Sequence, residues 1–163
     1  MMKRIVSAIL TVTLVFALIA CGGTNDGQSG KPAPDLQQYY DDFMASLGDN
    51  APMMMAIEGD MLEAAYPGLS EYTLKQSVLQ MAGISAVAFE MALVEAESEA
   101  DAQAIKTIFQ SRVDSQIKGG AMYPATVEAW ENASVIQDSN VVALIVAGED
   151  QTAAVDAFNA LFA

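Results

Sequence analysis

The stretch "VAFEMALVEAESEADAQAIKTIFQSRV", residues 87–113, changes its hydrophobic period in the middle and thereby decides the fold. In its first part Val87, Phe89, Met91 and Leu93 alternate with small residues, which predicts a strand, although so many alanines are also compatible with a helix. Ser98 then opens an [ST]-x-x-[DE] capping box, the signature of a helix N-terminus. The helix that follows carries a clear apolar stripe as far as Gly119-Gly120. Its apolar positions are Ala102, Ile105, Ile108, Phe109, Val113 and Ile117.

Towards the N-terminus, residues 78–81 read as a partner strand that turns at Gly83. Residues 36–47 repeat apolar side chains at helical spacing, with Asp35 before them and Gly48 after them, and so predict a helix. A shorter helix is expected over residues 60–65, where Pro67-Gly68 stops it. Between these two helices we expect a loop whose methionines, Met53 to Met55, fill the core.

Towards the C-terminus, Tyr123-Pro124 begins a short helix that carries Trp130. Residues 135–136 and 141–146 then read as a hairpin, whose second strand is apolar throughout and therefore central. A last helix is expected over residues 151–162. The order α, β-β-α, β-β-α predicts an α+β domain over residues 35–163, with two layers: an antiparallel sheet of about four strands and helices packed on one face.

The net charge of the chain limits the classes of partner that it can bind. Its 163 residues carry 21 Asp and Glu against 7 Lys and Arg, giving a net charge of −14. Such a surface repels phosphate backbones and anionic headgroups, which excludes ordinary nucleic-acid binding. There is no histidine and there is one cysteine. Ser-His and Cys-His nucleophile pairs, histidine metal sites and an intrachain disulfide are therefore excluded.

The single cysteine, Cys21, ends a leader-like segment. Lys3 and Arg4 precede an apolar run over residues 5–20, which is the pattern of a signal peptide. The run ends in Leu18-Ile19-Ala20-Cys21, which resembles the lipobox of bacterial lipoproteins. We therefore expect residues 1–20 to be removed, Cys21 to carry the lipid, and residues 21–34 to be a flexible tether rich in Gly and Pro. The expected location is the extracytoplasmic side of the cell membrane, with the lipid on Cys21 as the contact to that membrane.

Candidate chemistry in the remaining sequence is sparse. Asp41-Asp42 and the group Glu95, Glu97 and Glu99 are the densest carboxylate clusters, and a pair of carboxylates is what a glycoside hydrolase needs. In so acidic a chain such clusters are more simply a solvated face. No calcium-loop pattern appears, and Met53 to Met55 cannot share one helix face as copper ligands. We assign no catalytic residue, no metal ligand and no cofactor.

Two aromatic or charged features remain. Tyr123, Pro124 and Trp130 could together line a ligand groove, or they could form a corner that packs against its own loop. Arg112 falls on the buried-leaning side of the long helix, where we expect it to pair with a nearby carboxylate.

Seven segments, in their order along the chain, resemble one known family. They are DDFM (41–44), YPGL (66–69), ISAVA (84–88), LVE (93–95), AIKTIFQSR (104–112), YP (123–124) and EAWEN (128–132). Together they are similar to the domain of unknown function 4358, which occurs in small bacterial lipoproteins. The resemblance implies an extracytoplasmic lipoprotein. It brings no activity and no catalytic or ligand residue.

The sequence therefore favours a membrane-anchored lipoprotein whose domain is a non-enzymatic binding or interaction module with an unknown protein or envelope partner. Two alternatives stay open. One is a carboxylate-dependent hydrolase that acts on cell-envelope polymers, and the other is an accessory subunit of an envelope complex.

Overall fold

The computed structural model describes residues 33–163, within which the chain forms five α-helices and five β-strands. The predicted signal peptide, the lipobox Leu18, Ile19 and Ala20, the lipid attachment residue Cys21 and nearly all of the predicted tether lie outside the described residues. The helices are α1 (Leu36–Leu47), α2 (Asp60–Ala65), α3 (Glu99–Ser115), α4 (Pro124–Glu131) and α5 (Gln151–Ala160). The strands are β1 (Met54–Ala56), β2 (Leu74–Ala82), β3 (Glu90–Ala96), β4 (Ser134–Asp138) and β5 (Val141–Val146).

The strands form one antiparallel sheet in the order β1-β2-β3-β5-β4. The two predicted hairpins, β2–β3 and β4–β5, are confirmed, and β5 is central as its apolar sequence indicated. The hairpins meet where β3 pairs with β5, with Met91 opposite Ile145. The α+β class is therefore confirmed, with five strands where about four were expected.

Helices cover both faces of the sheet, and the expectation that they pack on one face is wrong. Every residue of β3 and of β5 is buried, as a strand covered on both sides must be. On one face Met91 and Leu93 pack with α1 and α5. On the other face Ala92 and Val94 pack with α3. The small side chains on this face of β3 let α3 pack close to the sheet. Because helices cover both faces, the domain has three layers.

The methionine segment contains the strand that the sequence did not predict. Met54 to Ala56 pair with the end of β2, Met54 lying opposite Ala82. Core filling holds for Met54, which packs against the core, but is wrong for its neighbours. The exposed fraction is 76% for Met53 and 40% for Met55. A strand of three residues is shorter than two full periods of the strand alternation, so its sequence shows no measurable period.

Capping at both ends positions the long helix α3. The Ser98 hydroxyl accepts the backbone N–H of Asp101 at 3.1 Å, as the predicted capping box requires. At the other end α3 passes into one π-helical turn, Gln116–Gly120. Gly119 ends that turn at a φ of 149°, which residues with a Cβ rarely adopt. Arg112 therefore lies in the last turn of α3, directly before the π-helical turn.

The start of the domain is tied to the sheet by Gln76 of β2. Its amide oxygen accepts the Leu36 N–H at 3.0 Å, and its amide nitrogen donates to the Pro34 carbonyl at 3.0 Å. The same nitrogen donates to the Glu95 carboxylate at 2.7 Å. These bonds fix the point where the chain enters α1.

Among residues 33–163 no helix is both long enough and apolar enough to cross a membrane.

Candidate functional site

A buried ion pair joins α3 to the sheet. Arg112 donates from Nε to Glu90 Oε1 at 3.0 Å and from Nη2 to Glu90 Oε2 at 2.8 Å. The side chain of Glu90 is 2% exposed and that of Arg112 is 11% exposed. Because each charge is desolvated, each depends on the other for compensation. The expectation that Arg112 pairs with a carboxylate is confirmed, and Glu90 is the carboxylate.

Tyr66, which follows α2, completes the group. Its hydroxyl donates to Glu90 Oε1 at 2.5 Å, and the residue is fully buried. Burial first, and then the adjacent Glu90 charge, raise the pKa of Tyr66 well above its ordinary value, so the phenol stays protonated. Burial alone would lower the pKa of Arg112, but its bonds and charge contact with Glu90 reverse the direction and raise it. Glu90 thus accepts from two donors that keep their protons.

Trp130 of α4 closes the other side of the guanidinium. The Arg112 Cζ lies 5.3 Å from the centroid of the indole ring, within cation–π distance. Thr126, one turn earlier, accepts the Tyr123 N–H at 3.2 Å and donates to the Tyr123 carbonyl at 2.8 Å, which fixes the start of α4. The sheet, α3 and α4 therefore hold Arg112 from three directions.

A cavity of about 190 Å³ lies beside this ion pair. It is bounded by the end of β2, the loop of residues 83–89, the C-terminal part of α3, the π-helical turn and α4. Glu90 and Arg112 belong to its wall, and so does Trp130. Most other wall residues are apolar. They are Met81, Ala82, Ile84, Val87, Ala88, Phe89 and Ala121, with Ser85, Gln116, Gly120 and Thr126 making up the rest.

Two aliphatic side chains of the cavity wall reach solvent. Ile84 is 57% exposed and Val87 is 38% exposed, and both belong to the wall. Large exposed aliphatic side chains around a concavity are typical of surfaces that bind something. The site is therefore an opening with a mixed apolar and polar lining and a compensated ion pair in its wall.

The structure separates the three residues of the predicted aromatic groove. Trp130 is buried and belongs to the cavity wall. Tyr123 is 49% exposed, and Pro124, the first residue of α4, is exposed beside it. Neither of these two is among the residues that bound the cavity. A role for this group in ligand binding stays a prediction.

The carboxylate clusters noted in the sequence are spread over the surface and the sheet. Asp41 and Asp42 are exposed on α1 and accept hydrogen bonds from Gln37 and Gln38. Glu95 is buried and accepts from Gln76 at 2.7 Å and from Asn140 at 3.2 Å, whereas Glu97 and Glu99 are exposed.

Among the residues that the structure describes, none of these carboxylates bounds the cavity, whose wall contains Glu90 alone of the acidic residues. Within the same part of the chain, no three His, Cys, Asp or Glu side chains converge as a metal site would require.

Glu90 and Tyr66 are site residues that the sequence did not single out. Glu90 and Glu95 are the two charged residues of β3, whose other residues are apolar. A charge in such a strand is the one local signal that could have found Glu90. Tyr66 precedes Pro67-Gly68, where it reads as part of a turn. Only the tertiary fold brings its hydroxyl to Glu90.

Comparison with known proteins places these residues in one family. The family model described as a domain of unknown function, DUF4358, matches residues 46–147. That range includes the whole sheet, α2 to α4 and the cavity with Tyr66, Glu90, Arg112 and Trp130. The searches of curated proteins and of solved structures found no match. Because the family match spans more than half of the 163 residues, the chain belongs to the DUF4358 family.

Proposed function

We propose that the chain is a lipoprotein held on the extracytoplasmic side of the cell membrane through Cys21, and that its domain is a non-enzymatic binding module. Support for the anchor comes from the sequence: a basic start, an apolar run, Leu18-Ile19-Ala20 before Cys21, and a tether rich in Gly and Pro. A cysteine with two or three acyl chains binds a membrane stably, whereas one chain binds it only marginally.

The observation that carries the binding role is the cavity beside Glu90 and Arg112. An opening of about 190 Å³ is smaller than the roughly 300–1,000 Å³ of common small-molecule sites. It matches a single branched or aromatic group instead of a whole metabolite. The apolar residues of the wall would hold such a group, and the exposed Ile84 and Val87 would extend the contact around it.

Binding is favoured over hydrolysis by the state of the carboxylate. Glu90 accepts two hydrogen bonds from Arg112 and one from Tyr66. Glycoside hydrolysis uses two carboxylates that flank the scissile bond, and Glu90 is the one acidic residue among the described residues that bound the cavity. The ion pair thus reads as a support for the wall of a binding site.

The anchor is tested with Cys21→Ser in a bacterial host that processes lipoproteins. We expect the variant to leave the membrane fraction or to accumulate as an uncleaved precursor, as read by fractionation and intact-protein mass. The matched control carries Cys21→Ser together with Ser29→Cys, which keeps a thiol eight residues further along. Restored lipidation in that control, or unchanged membrane association of Cys21→Ser, would contradict the anchor.

The cavity is tested through Trp130, the single tryptophan of the chain. We expect 4-methyl-1-pentanol, a neutral probe with a branched apolar end, to change its fluorescence saturably in the full chain held in neutral phosphatidylcholine vesicles. Ala88→Leu should fill the cavity and abolish the change, whereas Ala100→Leu, on an exposed position of α3, should not. Equal responses of the two variants would contradict the binding role.

A further inference from the structure

We infer that the partner of this cavity is a cationic protein segment that inserts one apolar side chain beside Trp130. The inference rests on the proposed function and names the class of partner. It follows from three properties of residues 33–163: their charge, the size of the cavity and the compensated ion pair in its wall.

The charge of the domain selects cationic partners. Every one of the 21 acidic residues except Asp26 falls within the described part of the chain. The basic residues there are Lys75, Lys106, Arg112 and Lys118. Three of them are already paired, Lys75 with Glu95, Arg112 with Glu90 and Lys118 with Asp114. The large excess of negative charge attracts a basic segment over many ångströms and repels anionic membranes and nucleic acids.

The size of the cavity selects one side chain. Its volume of about 190 Å³ accommodates a leucine-sized or phenylalanine-sized group, and the wall residues around it are mostly apolar. Anchors of this kind, buried in a pocket near the centre of an interface, contribute most of the binding energy of protein complexes. The exposed Ile84 and Val87 would then pack against residues that flank the anchor.

The ion pair in the wall favours an uncharged inserted group. Arg112 donates to Glu90 from Nε and Nη2, so the two charges compensate each other. The positive charge of the partner therefore belongs to the residues that flank the inserted side chain, where they face the acidic surface of the domain.

The experiment compares three blocked pentapeptides by Trp130 fluorescence, using the full chain in neutral phosphatidylcholine vesicles. The first has four lysines around a central leucine, the second has glycine in place of that leucine, and the third has serines in place of the lysines. We expect the first to bind about tenfold or more tightly than either of the others. Raising the salt from about 50 to 500 mM should weaken it by about tenfold.

Variants locate the contact. Ala88→Leu should abolish the response to the lysine–leucine peptide, and Ile84→Ser should weaken it several-fold. Met61→Ser is the matched control, since Met61 is 36% exposed and does not bound the cavity, and it should bind normally. Circular dichroism of each variant shows whether it is folded.

Each failure has a separate meaning. Equal binding of the serine and lysine peptides would overturn the cationic partner while the response to 4-methyl-1-pentanol upheld the binding module. Loss of both responses would overturn the two proposals together. A Trp130 response to protein concentration alone would identify a second copy of the chain as the occupant and would also overturn the cationic segment.

Discussion

Arg112 and Glu90 are 22 residues apart in the sequence, yet the guanidinium of one meets the carboxylate of the other through bonds of 3.0 Å and 2.8 Å. The ion pair links α3 to the first residue of β3 and forms part of the cavity wall. Its consequences for stability can be measured without knowledge of any ligand.

Replacing one residue of the Glu90–Arg112 pair should lower the free energy of unfolding more than replacing both. Glu90→Gln leaves the Arg112 charge buried without compensation, and we expect the free energy of unfolding to fall by about 3–5 kcal/mol. The double variant Glu90→Leu with Arg112→Met replaces the pair with apolar groups and should lose far less. Urea unfolding measures both. A double variant as unstable as Glu90→Gln would show that packing, and not charge compensation, is what the pair contributes.

Alkaline pH should destabilise the protein through its buried tyrosines. Burial raises the pKa of Tyr66 and of Tyr39, whereas in the unfolded chain each ionises near the ordinary value of 10.0. The stability is therefore full below pH 10 and falls as the pH rises above it, by about 1.4 kcal/mol per pH unit for each phenol held protonated.

Tyr66→Phe should flatten that alkaline decline by the share of one tyrosine, and Tyr39→Phe should do the same. Stability is followed by urea unfolding between about pH 9 and 11, and ionisation by the absorbance of phenolate. A decline of the same steepness in Tyr66→Phe would refute the protonated phenol at Glu90.

The junction at Gln76 should control how firmly the chain enters α1. Gln76→Ala removes the acceptor of the Leu36 N–H and a donor to the buried Glu95 carboxylate, for an expected loss of about 2 kcal/mol. Lys75→Ala is the control, because Lys75 is half-exposed and its Nζ lies 3.7 Å from Glu95. That surface pair should contribute less than about 1 kcal/mol. Amide hydrogen exchange at the start of α1 should quicken in Gln76→Ala alone.

The N-cap of α3 gives a smaller, local effect. Ser98→Ala loses the bond to the Asp101 N–H and should lower the free energy of unfolding by about 1 kcal/mol. Ser111→Ala, in the middle of the same helix, removes a hydroxyl that bonds only to the preceding turn at 2.9 Å, and alanine favours helix there. Thermal unfolding should therefore shift downward for Ser98→Ala and not for Ser111→Ala. Equal shifts would mean that the cap contributes nothing.

Local signals predicted the elements that local interactions build. Ser98 and Asp101 lie within one turn, so the start of α3 could be read directly from the chain. The apolar run from Val141 to Val146 indicated a central strand, and β5 is paired on both sides. In each case the sequence carries the physical cause within a few residues.

The parts that were missed or misplaced depend on distant residues. Ala92 and Val94 could face either solvent or a helix, and only the path of α3 across the sheet decides that they face a helix. The same path decides which of 21 acidic residues Arg112 meets. β1 forms because its three residues pair with the end of β2, and a strand of this length is too short to show a hydrophobic period in the sequence. The cavity results from all of these tertiary contacts, so it could not be predicted before the contacts were known.

The strand order also governs how the chain reaches its native state. Within each hairpin the partners are near neighbours in sequence, but the seam between hairpins joins residue 90 to residue 146. Pairings of such long range slow folding because the intervening chain must be ordered before the contacts form. We therefore expect the pairing of β3 with β5 to be the slow step of folding, and before this pairing forms β3 presents an open, apolar edge to other chains.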